Sequence, residues 1–248
     1  MSATRRIAVI IGAGPGLAAS IAKSLSTTHS LLLLSRSLPD SLPKLNLPTG
    51  IPKENILALS SDGSASSLKK VFEDLKKHWP DSRVDVGVYN VNQSFVMKDF
   101  LDSEESQLRA GLESGVVGGW NFAQSLLPLF LANEPDNTTG ARGVLLFTGA
   151  TMSLRGGAKF SSLAPGMFAR RSLSQSLARE FGSKGVHVGH IIVDGIIDSE
   201  RVREQMGEDK DNTRLNPDHI AQTYLALINQ PRSAWTQELD LRPDNERW

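Results

Sequence analysis

The chain has 248 residues, 40% of them apolar and 22% charged, and is therefore long enough to bury a sizeable core. Its 27 basic and 27 acidic residues balance, which excludes the strongly basic surface of general nucleic-acid binders. It has no cysteine, and this excludes disulfides, thiolate nucleophiles and cysteine-based metal sites. No apolar run reaches the roughly 18 residues of a membrane span, so we expect a cytoplasmic protein without a membrane partner.

Apolar runs typical of buried strands alternate with helical patterns along the chain. The predicted strands are 7–11, 31–35, 56–59, 84–89, 143–149, 186–193 and 236–241. The predicted helices end near residue 26, cover about 66–79 and 103–131, end near 181, and cover about 217–229. Because unbroken apolar strands that alternate with helices are typical of a parallel sheet covered on both faces, we predict one doubly wound α/β domain over 1–248. Its sheet would have seven strands, mainly parallel.

Three stretches between these elements lack a regular pattern. Residues 37–54 contain four prolines and are predicted to form a loop. Residues 133–142 are polar and are predicted to form a second loop before the fifth strand. Residues 199–216 are highly charged and are a candidate for a mobile flap.

A glycine-rich turn joins the first strand to the first helix. It holds Gly12, Gly14, Pro15, Gly16 and Leu17. Glycines at this point let the backbone turn tightly and approach a pyrophosphate, which rests on the free N–H groups of the helix N-terminus. The pattern predicts a Rossmann-type dinucleotide site, and the alternative is a glycine-rich turn without a ligand.

The end of the second strand indicates which dinucleotide binds. An acidic residue there would accept a hydrogen bond from the ribose of NAD, but this chain has Ser35 and Arg36. A guanidinium pairs well with a 2′-phosphate, so NADP(H) is predicted, with a surface arginine at the sheet edge as the alternative. Asp62 follows the third strand and is a candidate for the adenine amino group, although Ser60 and Ser61 compete for that position.

Over nearly its whole length the chain resembles the short-chain dehydrogenase/reductase family. The glycine turn is similar to the family's turn, with Ala18 in place of the last glycine. Residues 89–92 resemble the family's Asn-Asn-Ala-Gly segment, and residues 194–199 resemble the Pro-Gly-x-x-x-Thr segment that contacts the nicotinamide. The resemblance therefore implies further cofactor contacts at Asn90, Val91, Asn92, Gly195, Ile197 and Ser199.

The same resemblance implies that the family's catalytic side chains are missing. The positions of its Tyr-x-x-x-Lys pair fall on Leu163 and Met167, counted back from the run LARE at 177–180. The family's serine falls on Gly149 or Ala150, and its asparagine falls near Gly115. The chain has only two tyrosines, and neither stands four residues before a lysine.

Loss of the tyrosine changes which reactions are possible. Hydride transfer to a ketone needs a proton for the developing alkoxide, whereas an iminium already carries positive charge, and a cyclisation needs no hydride. Residues 164–168 are similar to a segment in a branch of the family from prenylated indole alkaloid pathways. Members of that branch lack the Tyr/Lys pair and carry out iminium reduction, Diels–Alder or Pictet–Spengler cyclisation. We therefore predict an NADPH-dependent reductase or cyclase of an imine or iminium. A carbonyl reductase with relocated catalytic residues and a non-catalytic NADP-binding protein are the alternatives.

Two glutamates are candidates for a replacement acid at the mouth of the pocket. Glu104 lies on the same face of the predicted helix as Gly115, and Glu105 lies beside it. The alternative is structural, because Asp102-x-x-Glu105 matches a capping box that starts the helix. Arg109 is a possible partner of either glutamate, or one member of an ordinary surface pair.

Two aspartates border the segment predicted to face the nicotinamide. Asp194 and Asp198 are candidates to pair with a substrate ammonium or iminium, and the alternative is a role in stabilising the turn. Thr151 and Ser153 follow the empty serine position and are candidates to supply hydroxyls. His187 and His190 alternate on one strand without enough converging ligands for a metal, so no metal site is predicted.

Small residues replace polar side chains around the predicted site and suggest an enlarged pocket. They are Gly111, Gly115, Gly118, Gly119, Gly149 and Ala150. Candidate lining residues are Phe95, Met97, Phe100, Met152, Met167, Phe168 and Met206. Such a lining suits a bulky, apolar, cationic small molecule, although each of these side chains could equally be ordinary core. The family's assembly through two long helices implies a homodimer or homotetramer.

Overall fold

A computed structural model describes residues 4–93 and 96–245 and contains one seven-stranded sheet. All neighbouring strands are parallel, in the order β3-β2-β1-β4-β5-β6-β9. The strands of this sheet are β1 Arg6–Ile11, β2 Ser30–Ser35, β3 Ile56–Ser60, β4 Arg83–Tyr89, β5 Gly143–Ala150, β6 Val186–Val193 and β9 Glu238–Leu241. The helices are α1 Leu17–Leu25, α2 Ala65–His78, α3 Glu105–Leu112, α4 Gly118–Ala132, α5 Ala164–Phe181, α6 Glu200–Met206 and α7 Pro217–Ile228. The predicted doubly wound fold is confirmed.

Helices cover both faces of the sheet because alternate strand residues point to opposite sides. Ile10 of β1 packs in a core with Ile21 of α1 and Tyr224 of α7. Val9, one residue earlier, packs on the other face in a core that includes α2, α4 and α5. Since both faces of each central strand are buried, the strands are continuously apolar, which is why their positions could be predicted.

The predicted long helix over 103–131 is divided in the structure. A π-helical turn at Glu113–Val117 separates α3 from α4. Such a turn changes the backbone hydrogen-bond pattern and leaves carbonyls that other groups must satisfy. The helix begins at Glu105 with Glu104 as its N-cap, so the predicted capping box starting at Asp102 was wrong.

The segment predicted as a mobile flap is ordered. Ser199 caps α6 by accepting a hydrogen bond from the N–H of Val202, and β8 Arg214–Leu215 then pairs with β7 Ile196–Ile197. Its charged residues bind one another, as where Asp209 accepts hydrogen bonds from Thr213 and from the N–H of Arg214. The high charge of this segment therefore reflects hydrogen bonds among its own residues. The 37–54 stretch is irregular as predicted, apart from two short 3-10 helices.

The carboxyl ends of β1 and β4 form the point where the strand order reverses. The chain runs outward from β1 to β2 and β3 on one side, and from β4 to β5 and β6 on the other. In open parallel sheets ligands bind in the crevice that this reversal creates. No helix in 4–93 or 96–245 is long and apolar enough to cross a membrane.

Candidate functional site

The glycine-rich turn is shaped by two glycines with positive φ. Gly12 has φ of 84°, and a Cβ there would lie 2.4 Å from the carbonyl oxygen of Asn90. Gly16 has φ of 98° and directly precedes α1. At Gly14 an added Cβ would meet no atom within 4 Å, so this part of the turn faces open space. The turn thus packs tightly on β4 and presents the N-terminus of α1 to the crevice.

Three of the predicted cofactor segments come together at this turn. The N–H of Asn90 donates to the carbonyl of Ile11, at 2.9 Å, which fixes the segment 90–92 beside Gly12. The Cβ of Ser199 lies 3.6 Å from the position that a Cβ on Gly16 would take. Gly195, with φ of 154°, turns the chain between β6 and β7 and brings 195–199 to this place. These segments lie around one crevice.

The residues predicted to select the cofactor lie at the ends of β2 and β3. Ser35 accepts the N–H of Ser61 at 3.0 Å, and Ser60 Oγ donates to the carbonyl of Arg36 at 3.3 Å. The side chain of Arg36 is exposed, and among the described residues no carboxylate forms an ion pair with it. Asp62 is also exposed, and the hydrogen bond from the N–H of Ser64 lowers the pKa of its carboxyl group.

Arg170 of α5 is a charged residue that is almost completely buried near the crevice, at 1% exposure. Its Nε donates to the carbonyl of Gly115 at 2.7 Å, and its terminal nitrogens donate to the carbonyls of Thr148, Val91 and Ser114 at 2.8, 3.1 and 3.1 Å. Four carbonyls from β5, the end of β4 and the π-helical turn are therefore bound by one side chain. Sequence analysis missed this residue, because an arginine in an amphipathic helix is normally exposed.

Both tyrosines of the chain are buried and engaged. Tyr89 lies under the guanidinium of Arg170, 4.9 Å from ring centroid to Cζ, and donates to the carbonyl of Ser114 at 2.8 Å. Burial raises the pKa of Tyr89 to about 12. Tyr224 lies on the opposite face of the sheet, where its hydroxyl is 2.7 Å from Thr148 Oγ1, and burial raises its pKa as well. Neither phenol is placed to give a proton to a ligand in the crevice.

The two positions assigned to the family's Tyr/Lys pair lie at the start of α5. Leu163 precedes the helix and Met167 stands in its first turns, and both are buried at 9% and 7% exposure. Pro165 stands in the first turn, as its fixed φ predicts. Neither position supplies a group that can bind or release a proton.

Gln93 fills the space that the glycines were predicted to leave open. A Cβ on Gly115 would lie 2.8 Å from its Oε1, and one on Gly166 would lie 2.5 Å from its Nε2. This amide nitrogen donates to the carbonyl of Leu163 at 2.9 Å, whereas Oε1 has no partner in the part of the chain that the structure describes. A carboxamide thus lies beside the position assigned to the family's asparagine, although it comes from another segment.

The predicted enlargement of the pocket by small residues was therefore wrong. A Cβ on Gly111 would lie 2.2 Å from the carbonyl of Ser162, and one on Gly118 would lie 2.6 Å from the hydroxyl of Tyr89. At Gly119 an added Cβ would be in van der Waals contact with Phe147 and Tyr89, at 3.4 Å from each. These glycines allow helices and strands to approach closely, and they add no volume for a substrate.

Gly149, at the position assigned to the family's serine, faces a buried histidine. A Cβ there would lie 2.3 Å from Nε2 of His190 and 2.8 Å from Oγ of Ser153. The other ring nitrogen of His190 lies 3.1 Å from Glu238, whose carboxylate binds Arg171 with two hydrogen bonds. Burial lowers the pKa of His190 to about 4. His190 and His187, which are 1% and 2% exposed, thus belong to the core.

The four candidate acids lie apart, and each has a structural partner. Glu104 caps α3, with its N–H bonded to Oε1 of Gln107, and Glu105 forms an exposed pair with Arg109. Asp198 binds Arg203 and Arg214, at 2.9 and 3.4 Å.

Asp194 is 1% exposed and lies 2.7 Å from Arg242. It also accepts a hydrogen bond from Thr151 Oγ1, beside Ala150. Of the four candidate acids, Asp194 is the one hydrogen-bonded to a residue next to the position assigned to the family's serine.

Several predicted apolar lining residues lie on the surface. Met97, Phe100, Phe168 and Met206 are exposed, whereas Met152 is half-buried; Phe95 lies outside the described residues. No group of three or more potential metal ligands occurs within 4–93 and 96–245.

Comparisons with known proteins identify the family. The model of the short chain dehydrogenase family matches residues 6–210. The chain belongs to the short-chain dehydrogenase family. An uncharacterized oxidoreductase of Staphylococcus epidermidis is 24% identical over 245 residues, which cover 96% of this chain and 97% of that protein.

Solved short-chain dehydrogenase structures share the fold over almost the whole chain. One from Rhodopseudomonas palustris is 27% identical, with a TM-score of 0.74 and coverage of 96% of this chain and 98% of that one. An alcohol dehydrogenase from Thermococcus sibiricus, complexed with 5-hydroxy-NADP, is 22% identical, with a TM-score of 0.79 and coverage of 98% and 99%. The chain therefore shares its fold with these solved structures over almost its whole length.

Gly115→Ala is expected to destabilise this short-chain dehydrogenase by about 1–3 kcal/mol, because the added methyl group meets Gln93 and the backbone of Gly166. Adding Gln93→Ala should recover part of the loss, since one of the two obstacles is then removed. Urea denaturation of the two single variants and the double variant measures this coupling. Gly119→Ala, which makes only ordinary contacts, is the control and should change stability by less than about 1 kcal/mol. Additive effects of Gly115→Ala and Gln93→Ala would contradict the packing described.

Acid should destabilise the fold through His190. Its pKa in the folded state is about 4, below the ordinary value of 6.5, so the unfolded chain binds this proton first. Stability is therefore lost as pH falls from about 6.5 to about 4, by about 2–3 kcal/mol. Urea denaturation across this range should show a shallower pH dependence for His190→Asn than for the unmodified protein. His78→Asn, at an exposed position, should keep the full dependence, and an unchanged slope in His190→Asn would refute the assignment.

Proposed function

We propose that this protein is an NADPH-dependent reductase that acts on a carbon–nitrogen double bond, an imine or iminium. One contrast carries the proposal. The crevice retains the glycine turn, Asn90 and an exposed Arg36, whereas the assigned acid positions hold Leu163 and Met167.

The preference for NADP(H) rests on the ends of β2 and β3. Arg36 is exposed and has no ion-pair partner among the described residues, so its guanidinium is available for a 2′-phosphate. The turn faces open space at Gly14, next to the N-terminus of α1, where a pyrophosphate fits. The proposal is also supported by the alcohol dehydrogenase of similar fold, whose structure was solved with 5-hydroxy-NADP. Bound NADPH would supply a hydride.

The choice of a carbon–nitrogen double bond follows from the absence of a proton donor at the positions assigned to the family's catalytic residues. A ketone that accepts hydride becomes an alkoxide and needs a proton at once, which a neighbouring acid normally supplies. An iminium becomes a neutral amine and needs none. Leu163, Met167, Gly115 and Ala150 cannot supply that proton, and both tyrosines are buried away from the crevice. A carbon–nitrogen double bond is therefore favoured, because an iminium is reduced without a proton donor.

A second candidate, carbonyl reduction with relocated residues, is favoured by one contact. Thr151 follows Ala150 directly, is partly exposed, and donates its hydroxyl hydrogen to the buried carboxylate of Asp194. To orient a carbonyl oxygen close to the position assigned to the family's serine, this hydroxyl would have to turn its one hydrogen away from Asp194. The Asp194 carboxylate already forms an ion pair with Arg242, at 2.7 Å.

Cyclisation of a bulky substrate has less support. It depends on a shaped, roomy pocket, and the glycines that suggested such a pocket are packed against other residues. The role in alkaloid metabolism and the cytoplasmic location stay predictions. A homo-oligomer is proposed on the exposure of Trp120 in α4 and Phe168 in α5, at 54% and 41%.

Arg36→Ala should weaken NADPH binding by roughly tenfold or more, because it removes a charge-assisted pair with the 2′-phosphate. Binding of NADH, which lacks that phosphate, should change less than about twofold. Fluorescence titration of both cofactors measures the two effects. Lys53→Ala removes a positive charge from the same β2–β3 connection and should leave both affinities nearly unchanged. Absence of NADPH binding by the unmodified protein at micromolar concentration would contradict the proposal.

Paired substrates test the reaction. We measure NADPH oxidation with cyclic imines and with the matching cyclic ketones. The kcat/KM should be at least about 100-fold higher for the imines, because ketone reduction needs a proton donor that the assigned positions do not supply. Thr151→Val should leave imine reduction within about twofold. Ketone reduction abolished by that variant would favour the relocated site instead. Product formation without NADPH consumption would indicate a cyclase, and bound NADPH without turnover on either series would indicate a non-catalytic protein.

A further inference from the structure

Arg170 carries a buried positive charge that no carboxylate neutralises within the described residues. Its four hydrogen bonds all go to backbone carbonyls. The next residue in α5, Arg171, differs because Glu238 binds it at 2.6 and 2.7 Å. Among the ion pairs of 4–93 and 96–245, Arg170 has none. The charge at this point of the interior is therefore a net charge.

Burial does not remove this charge. Loss of hydration lowers the pKa of Arg170, yet a guanidinium starts so high that it stays protonated. The carbonyl dipoles and the ring of Tyr89 compensate part of the desolvation cost. At 1% exposure the charge lies away from solvent ions, so salt screens it much less than a surface charge.

Arg170 lies on the side of the crevice that is formed by β4 and β5. The carbonyls that it binds belong to Val91 after β4, Thr148 of β5 and the π-helical turn. A pyrophosphate on the N-terminus of α1 lies between β2, which meets the adenosine ribose, and β4. The other half of a dinucleotide therefore extends to the β4–β5 side, above Arg170.

We propose that Arg170 sets the redox form of the cofactor that the site prefers. An oxidised nicotinamide ring carries a positive charge and a reduced ring carries none. A fixed, poorly screened cation beneath that half of the crevice opposes the oxidised ring and leaves the reduced ring unaffected. Tighter binding of NADPH than of NADP⁺ follows. This inference rests on the proposed function, because it requires a nicotinamide cofactor.

The test compares the dissociation constants of NADPH and NADP⁺, measured by calorimetry. In the unmodified protein we expect NADP⁺ to bind roughly tenfold more weakly, the order of effect of a unit charge acting through a protein interior. Arg170→Met, which removes the charge, should bring this ratio to within about twofold. Arg170→Lys should keep most of it, since the charge remains. Arg179→Met removes an exposed charge from the same helix and should leave the ratio unchanged.

A second measurement needs no variant and covers a failure of Arg170→Met to fold. The ratio in the unmodified protein should persist between about 20 mM and 500 mM salt, because a buried charge is weakly screened. A ratio that disappears at high salt would attribute the preference to surface charges and overturn the inference. If folded Arg170→Met keeps the same ratio of NADP⁺ to NADPH dissociation constants, the inference is overturned as well. If neither cofactor binds, the proposed function itself fails.

Discussion

The guanidinium of Arg170 and its four carbonyl partners are the interaction on which the rest of the site depends. It joins the end of β4, the end of β5 and the π-helical turn by donating hydrogen bonds to carbonyls of all three. Tyr89 completes the arrangement by donating to Ser114 and lying under the guanidinium. Because the segment after β4 also packs on Gly12, the same interaction supports the nucleotide turn.

This dense packing limits the chemistry of the crevice floor. Gln93 lies among Gly111, Gly115 and Gly166, where added side chains would collide with it or with backbone. Polar groups are thus present on the crevice floor, but their contacts are with other residues of the fold.

The sequence predicted the features that are local or periodic. The central strands are apolar on both faces, and the turn at 12–16 needs glycines for its backbone conformation, so both could be located without a structure. Pro165 stands in the first turn of α5, where its fixed φ is compatible with a helix.

The features that were missed depend on contacts between distant residues. Arg170 binds residues 22 to 79 positions away, and Gln93 bonds to a carbonyl 70 positions away. The glycines at 111, 115 and 149 suggested empty space, whereas partners from other elements occupy it. The charged stretch 199–216 suggested mobility because its mutual pairs, such as Asp198 with Arg214, were invisible in the pattern. Composition indicates which groups are present, and only the fold shows which of them satisfy each other.

A crystal structure of the protein with NADPH tests the central claim most directly, namely that the crevice binds the dinucleotide while the positions assigned to the family's catalytic residues supply no proton donor. The account predicts the pyrophosphate on the N-terminus of α1, the 2′-phosphate on Arg36, and Leu163 and Met167 in place of any ionisable side chain beside the nicotinamide. An acidic or phenolic side chain in contact with the nicotinamide, or a cofactor bound with its 2′-phosphate away from Arg36, would contradict it.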